Sequence, residues 1–163
     1  MPDPIYLDHN ATTPVAEEVF AAIAPWLREQ HGNPSSSHPY GRRAADAVAT
    51  ARAQVAELIG AQSSEIVFTG CATEANNLAL LGVARAAGST RRNLVISSIE
   101  HPAVAAPAIA LSELGWDVTV LTVDSFGRIS EEALEQALRP DTALVSIMHA
   151  NNEVGTLQPI AAI

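Results

Sequence analysis

The apolar positions of this chain switch repeatedly between helical and strand-like spacing. Val19, Phe20, Ile23 and Leu27 recur at helical intervals, which predicts a helix over 14–30 opened by Pro14 and kinked or divided at Pro25. Residues 39–59 predict a longer helix with Ala44, Ala47, Val48, Ala51, Val55, Leu58 and Ile59 on one face, closed by Gly60. Short apolar runs at 66–68, 94–97, 118–123 and 143–148 read as strands. Between them lie a helix from Thr73 to about Ala87, one opened by Pro102, and one over 131–138 capped by Ser130. The first of these is expected to pack through Ala75, Leu78, Ala79, Gly82 and Ala86. Ile5-Tyr6-Leu7 is a short extended stretch, and residues 8–13 and 31–40 are polar loops.

Strands alternating with helices indicate an α/β fold with a mainly parallel sheet flanked by helices. Residues 159–163 read as the first turn of a helix that does not continue, so the sheet is expected to be incomplete at the C-terminus, with apolar edges that need covering. Poor stability alone, or self-association, follows. The composition is globular, with 48% hydrophobic residues. A net charge of -9 disfavours nucleic acid and anionic membrane as partners. The polar start (Met-Pro-Asp-Pro) resembles no signal peptide, and no apolar run is long enough to span a membrane, so a cytoplasmic location is expected. The single cysteine, Cys71, excludes an intrachain disulfide.

Three polar segments sit where strands end, the usual ligand side of an open α/β sheet. Thr69-Gly70-Cys71-Ala72-Thr73-Glu74 follows a strand and opens a helix, so its free amides and the Thr73 hydroxyl suit a phosphate; an ordinary helix cap is the alternative. Ser98-Ile99-Glu100-His101-Pro102 offers an imidazole that can stack on an aromatic ring or move a proton, or is a solvated loop. Met148-His149-Ala150-Asn151-Asn152-Glu153-Val154-Gly155-Thr156 carries amides that can donate to a phenolate or carboxylate, or forms an Asx-type turn. A fourth pair of segments, Asp8-His9-Asn10-Ala11-Thr12-Thr13-Pro14 and Gly32-Asn33-Pro34-Ser35-Ser36-Ser37-His38, reads locally as a capping turn and a surface loop. The five histidines form no metal-binding spacing, and neither a P-loop nor a G-x-S-x-G elbow is present.

In this order and spacing, these segments resemble the cysteine desulfurases of the class V aminotransferase group, among fold-type I pyridoxal-phosphate enzymes. The pattern is similar to the nitrogen-fixation and housekeeping iron–sulfur branch, and it covers the N-terminal portion of such an enzyme. The resemblance implies a pyridoxal 5'-phosphate cofactor, L-cysteine as substrate, transfer of its sulfur to an enzyme persulfide with release of L-alanine, a homodimer, and a sulfur-acceptor or scaffold protein. It implies that Ala72 and Thr73 contact the cofactor phosphate, that His101 is catalytic, stacking on the pyridine ring and assisting proton transfer, and that Asn152 contacts the phenolic oxygen and the substrate carboxylate. Residues 1–13 would join the small domain of the full-length family, and 14–163 would form the N-terminal part of the cofactor-binding large domain.

The departures matter as much. Every one of the nine basic residues is an arginine, so the Schiff-base lysine of the family is absent. The family's pyridine-nitrogen Asp, persulfide Cys and substrate Arg have no counterpart either. Cys71 lies in the phosphate turn and is expected to be a small, mostly buried side chain, not the persulfide carrier. The chain is therefore expected to be inactive alone. The alternatives are a shortened non-catalytic paralogue acting as a binding or assembly module, half of a split enzyme, or an unrelated phosphate-ligand binder.

Overall fold

The computed structural model describes residues 4–88 and 90–163. Residues 1–3 of the expected 1–13 segment, and the polar start, lie outside them. The chain divides at Phe68/Thr69 into two units.

The first unit holds α1 (Glu17–Arg28), α2 (Pro39–Ile59) and a 3-10 turn (Ser63–Glu65). Helix α1 begins three residues after Pro14 and runs unbroken through Pro25, so neither the expected start nor the division occurs. The Pro25 carbonyl instead accepts the Glu29 and Gln30 amides at the helix end. Helix α2 has the expected limits. His38 caps it, Pro39 occupies the first turn, and Gly60 takes φ 67°, a left-handed conformation that glycine adopts without steric cost. Its expected packing face is only partly used: Ala44 is buried, but Val48, Val55, Leu58 and Ile59 are exposed.

The second unit is built on a parallel sheet of order β2-β1-β3, from β1 (Asn93–Ser97), β2 (Asp117–Leu121) and β3 (Thr142–Ser146). Helices α3 (Ala72–Ala87), α4 (Pro102–Glu113) and α5 (Glu131–Ala137) flank it. Side chains alternate across β1. Leu94 and Ile96 pack with Leu80 of α3 and Val104, Ala108 and Leu111 of α4. Val95 points the other way, to Leu121, Ile129 and Leu134. Each fully buried aliphatic side chain here contributes roughly 1.5–3 kcal/mol. Because β2 and β3 lie on either side of β1, the chain reverses its travel across the sheet at β1, which places a ligand crevice at the strand ends beside it.

Two expectations fail in this unit or at its border. Residues 66–68 are not paired in any ladder among the described residues. On α3, the expected face (Ala75, Leu78, Ala79, Gly82, Ala86) is exposed, and Leu80, Leu81, Ala84 and Ala87 pack instead. Both stripes of α3 are apolar, so helical periodicity alone cannot choose between them.

At the N-terminal end of the sheet, the fully buried Asn93 amide donates to Thr119 Oγ1 at 2.9 Å, and its Oδ1 accepts the Thr142 hydroxyl at 2.8 Å. Arg139 bridges Asp117 and Asp141 outside it. Hydrogen bonding from Arg139 holds the Asp141 carboxyl below its ordinary range. The Arg128 amide, followed by that of Phe126, does the same for Asp124 despite opposing desolvation. Carboxylates depressed in the folded state stabilise it above the usual carboxylate range, and that contribution fades as pH falls through their lowered values. The melting temperature is therefore expected to stay level near neutrality and fall on acidification below the ordinary aspartate range, less steeply in an Asp124→Asn/Asp141→Asn variant. Identical acid profiles for variant and parent would contradict this.

Candidate functional site

Two motifs meet in a groove of about 480 Å³ between α3 and α4, lined by Thr73, Asn77 and Leu81 from one helix and His101, Ala103 and Ala106 from the other, among others. At the head of α3, Cys71 occupies the N-cap with extended backbone and supplies no side-chain cap to the first-turn amides of Ala72 and Thr73. Cys71 is exposed, contrary to expectation, because the N-cap residue stands off the start of the helix. Two interactions shape the turn. The Gly70 amide donates to Glu74 Oε2 at 2.7 Å, and the Thr69 hydroxyl donates to the Cys71 carbonyl at 3.1 Å.

His101 is the N-cap of α4, with Pro102 at the first helical position. Its Nδ1 accepts the Ala103 amide at 3.0 Å. The sequence offered this residue as a site or as a solvated loop histidine. It is an exposed capping residue whose ring also lines the groove. The same His-Pro pair opens α2, where His38 Nδ1 accepts the Gly41 amide at 3.2 Å.

The third motif is tied to the second by residues that sequence reasoning passed over. Glu100 Oε1 accepts the Ser97 hydroxyl at 2.7 Å and the Met148 amide at 2.8 Å, joining the ends of β1 and β3. Asn151 is buried; its Nδ2 donates to the Ile99 carbonyl at 3.2 Å, and its Oδ1 accepts the Glu153 and Val154 amides at 2.9 and 3.0 Å. Asn152 is exposed, with Nδ2 donating to Glu153 Oε1 at 2.8 Å. Of the two asparagines, then, Asn151 builds the turn and Asn152 is displayed by it. A visible signal existed for Asn151, since an Asx turn closed by Gly155 was one reading of the segment. Glu100 had no local signal, as its partner lies in another strand. Neither Ala72 nor Asn152 lines the groove.

In the first unit, the Tyr6 hydroxyl donates to the Asp8 carbonyl at 2.7 Å and lies 2.9 Å from Thr12 Oγ1. In the Gly32–His38 loop, Asn33 Oδ1 accepts the Ser35 amide at 2.9 Å. Among the described residues, no cluster of His, Cys, Asp and Glu suits a metal ion, and no helix is long and apolar enough to cross a membrane.

The family model for class-V aminotransferases matches residues 5–163. The chain belongs to the class-V aminotransferase family. Within this family it is similar to the cysteine desulfurase IscS of Dictyoglomus turgidum, 48% identical over 156 residues that make up 96% of this chain and 40% of the relative. A solved NifS-like protein superposes with a TM-score of 0.93 at 44% identity, covering 96% of this chain and 43% of that one. A structure titled "SspA in complex with cysteine" gives 0.93 at 44% identity, covering 97% and 46%. The chain thus spans less than half the length of the proteins it matches. The parallel α/β arrangement is that of NifS-like members of the class-V aminotransferase family.

Pyridoxal phosphate is the cofactor expected of a class-V aminotransferase. Helix amides without a side-chain cap, the Thr73 hydroxyl and the His101 imidazole are a donor set that suits a phosphorylated aromatic ring, so the residues present fit it. The amine that would anchor it covalently is not among them, since the chain contains no lysine.

Proposed function

We propose that the protein containing this chain is a cysteine desulfurase that takes sulfur from L-cysteine, leaving L-alanine, and passes it through a cysteine persulfide to a sulfur-acceptor or scaffold protein for iron–sulfur cluster assembly or thio-modification. The observation that carries the reading is the convergence of Thr73 and His101 on one groove between α3 and α4. Resemblance to relatives named cysteine desulfurases, and to a structure titled as a cysteine complex, supports it.

Pyridoxal phosphate, when bound, supplies an electron sink at the substrate Cα. The chain's own residues have simpler tasks. The amides of Ala72 and Thr73 and the Thr73 hydroxyl hold the phosphate. His101 offers a flat ring and an N–H. The Asn152 amide donates to the phenolic oxygen or the substrate carboxylate. Leu81 and Ala106 line the groove with apolar surface. Cys71 heads α3 beside the phosphate donors and is not the persulfide thiol.

In this reading residues 14–163 are part of the cofactor-binding large domain, 1–13 join the small domain, the complete protein is a cytoplasmic homodimer, and lysine-free residues 1–163 are inactive alone. The exposed apolar side chains of α1 (Val19, Phe20, Ile23, Leu27) fit a need for further covering chain. The absence of lysine favours one second reading: a non-catalytic module, or half of a split enzyme whose lysine is on another chain.

The expected result is a native protein, purified from its source, with an intact mass more than twice the 17.1 kDa of this chain, releasing L-alanine from L-cysteine. The isolated chain supplied with pyridoxal phosphate should release none. A native mass equal to 17.1 kDa would remove the first reading and leave the second.

A further inference from the structure

We propose that the first turn of α4 locks His101 into a single tautomer, with Nδ1 bare and Nε2 protonated, so that the ring meets a ligand as a hydrogen-bond donor and not as a base. The relevance to catalysis rests on the desulfurase reading; the tautomer does not. The Ala103 amide donates to Nδ1 at 3.0 Å. A nitrogen that accepts an N–H carries no proton of its own, so the proton of the neutral ring resides on Nε2. The neighbourhood reinforces this choice. A proton on Nδ1 would face the Ala103 N–H and leave that helix-start amide uncapped.

The consequence for proton transfer is specific. Nε2 already bears hydrogen and cannot accept another. Nδ1 can accept one only after the Ala103 hydrogen bond breaks. Giving up the Nε2 proton from the capped ring would create an imidazolate. In the capped state His101 therefore donates one hydrogen bond through Nε2 and presents its ring faces. Any proton that His101 removes from a substrate must be accompanied by opening of the α4 cap. The first step of such an opening is loss of one 3.0 Å contact, a change small enough for a ligand to drive.

His38 serves as an internal control. It has the same His-Pro context and the same Nδ1 acceptance, from the Gly41 amide at 3.2 Å, but lies in the other unit.

The test is long-range proton–nitrogen correlation NMR on the full 163-residue chain labelled at histidine nitrogen, at neutral pH without cofactor, with His101→Asn and His38→Asn variants for assignment. The expected spectrum shows a bare Nδ1 and a protonated Nε2 for both capping rings. A protonated Nδ1 at His101, or two nitrogens with averaged character, overturns the proposal. Amide exchange supplies an independent reading. Ala103 should exchange roughly 10-fold faster in His101→Ala than in the parent, and at the parental rate in His101→Asn, whose side chain still caps. Equal exchange in the alanine variant, or an unprotected Ala103 in the parent chain, overturns it as well. Both experiments omit the cofactor and cysteine, so a failed desulfurase assay and a failed tautomer are separately visible.

Discussion

Glu100→Ala is expected to lower the unfolding free energy by about 3 kcal/mol, since a carboxylate hydrogen bond contributes roughly 1.5–3 kcal/mol and one oxygen receives two of them. One donor is the Ser97 hydroxyl, in a side chain with 1% exposure, and the other is the Met148 backbone amide. Removing the acceptor leaves both without a protein partner at the junction of β1 and β3. Glu100→Gln keeps a carbonyl oxygen in the same place and should lose only about 1 kcal/mol, the difference between a charged and a neutral acceptor. Urea titration of the three proteins checks the ranking. The functional consequence is local. Exchange at the Met148, Glu153 and Val154 amides should rise in the alanine variant, while the β1–β2 ladder keeps its protection. An alanine variant within about 0.5 kcal/mol of the parent would show that water replaces the carboxylate and that the Asn151 turn holds its own position.

Gly41→Ala is expected to be of similar or larger effect, for a steric reason. A Cβ on Gly41 would lie 2.2 Å from the Ser36 carbonyl oxygen and 2.7 Å from that of Asn33. Both obstacles include backbone, so relief requires the Asn33–Ser36 turn to move, and overpacking of this kind costs about 3 kcal/mol. Moving that turn also disturbs the His38 cap, because its donor is the Gly41 amide itself. Gly82→Ala is the matched control. Gly82 lies inside α3 with nothing within 4 Å of the added Cβ, so alanine should stabilise by up to about 1 kcal/mol through helix propensity. Thermal melts of the two variants should therefore shift in opposite directions. A neutral Gly41→Ala would mean that the loop 33–36 is not held against the start of α2.

Much of the candidate site was legible because its signals are local. A short apolar run followed by Thr69-Gly70 and a helix start suggests an anion cradle even though residues 66–68 join no ladder, and the structure places Thr73 on a groove with His101. Other features were legible only as alternatives. The Asn-Asn pair offered two amides and no way to tell which builds the turn. Burial decides it: Asn151 is enclosed and spends its side chain on Ile99, Glu153 and Val154, while Asn152 is displayed.

By itself, then, the sequence determined the limits of α2, the start of α4, the order of the three strands along the chain, and the positions of the polar turns. Each of these rests on constraints within a few residues: a proline in the first turn, a left-handed glycine at the end, a short apolar run between turn formers. Tertiary structure alone decided which apolar stripe of α3 is covered, that residues 66–68 join no ladder, and that Glu100 and Asn151 knit two loops together. Those outcomes depend on partners far away in sequence, 48 residues for Glu100 with Met148 and 52 for Asn151 with Ile99. A periodic pattern states that a face is apolar; only the packed neighbours determine which face loses its water and which acceptor a buried donor finds.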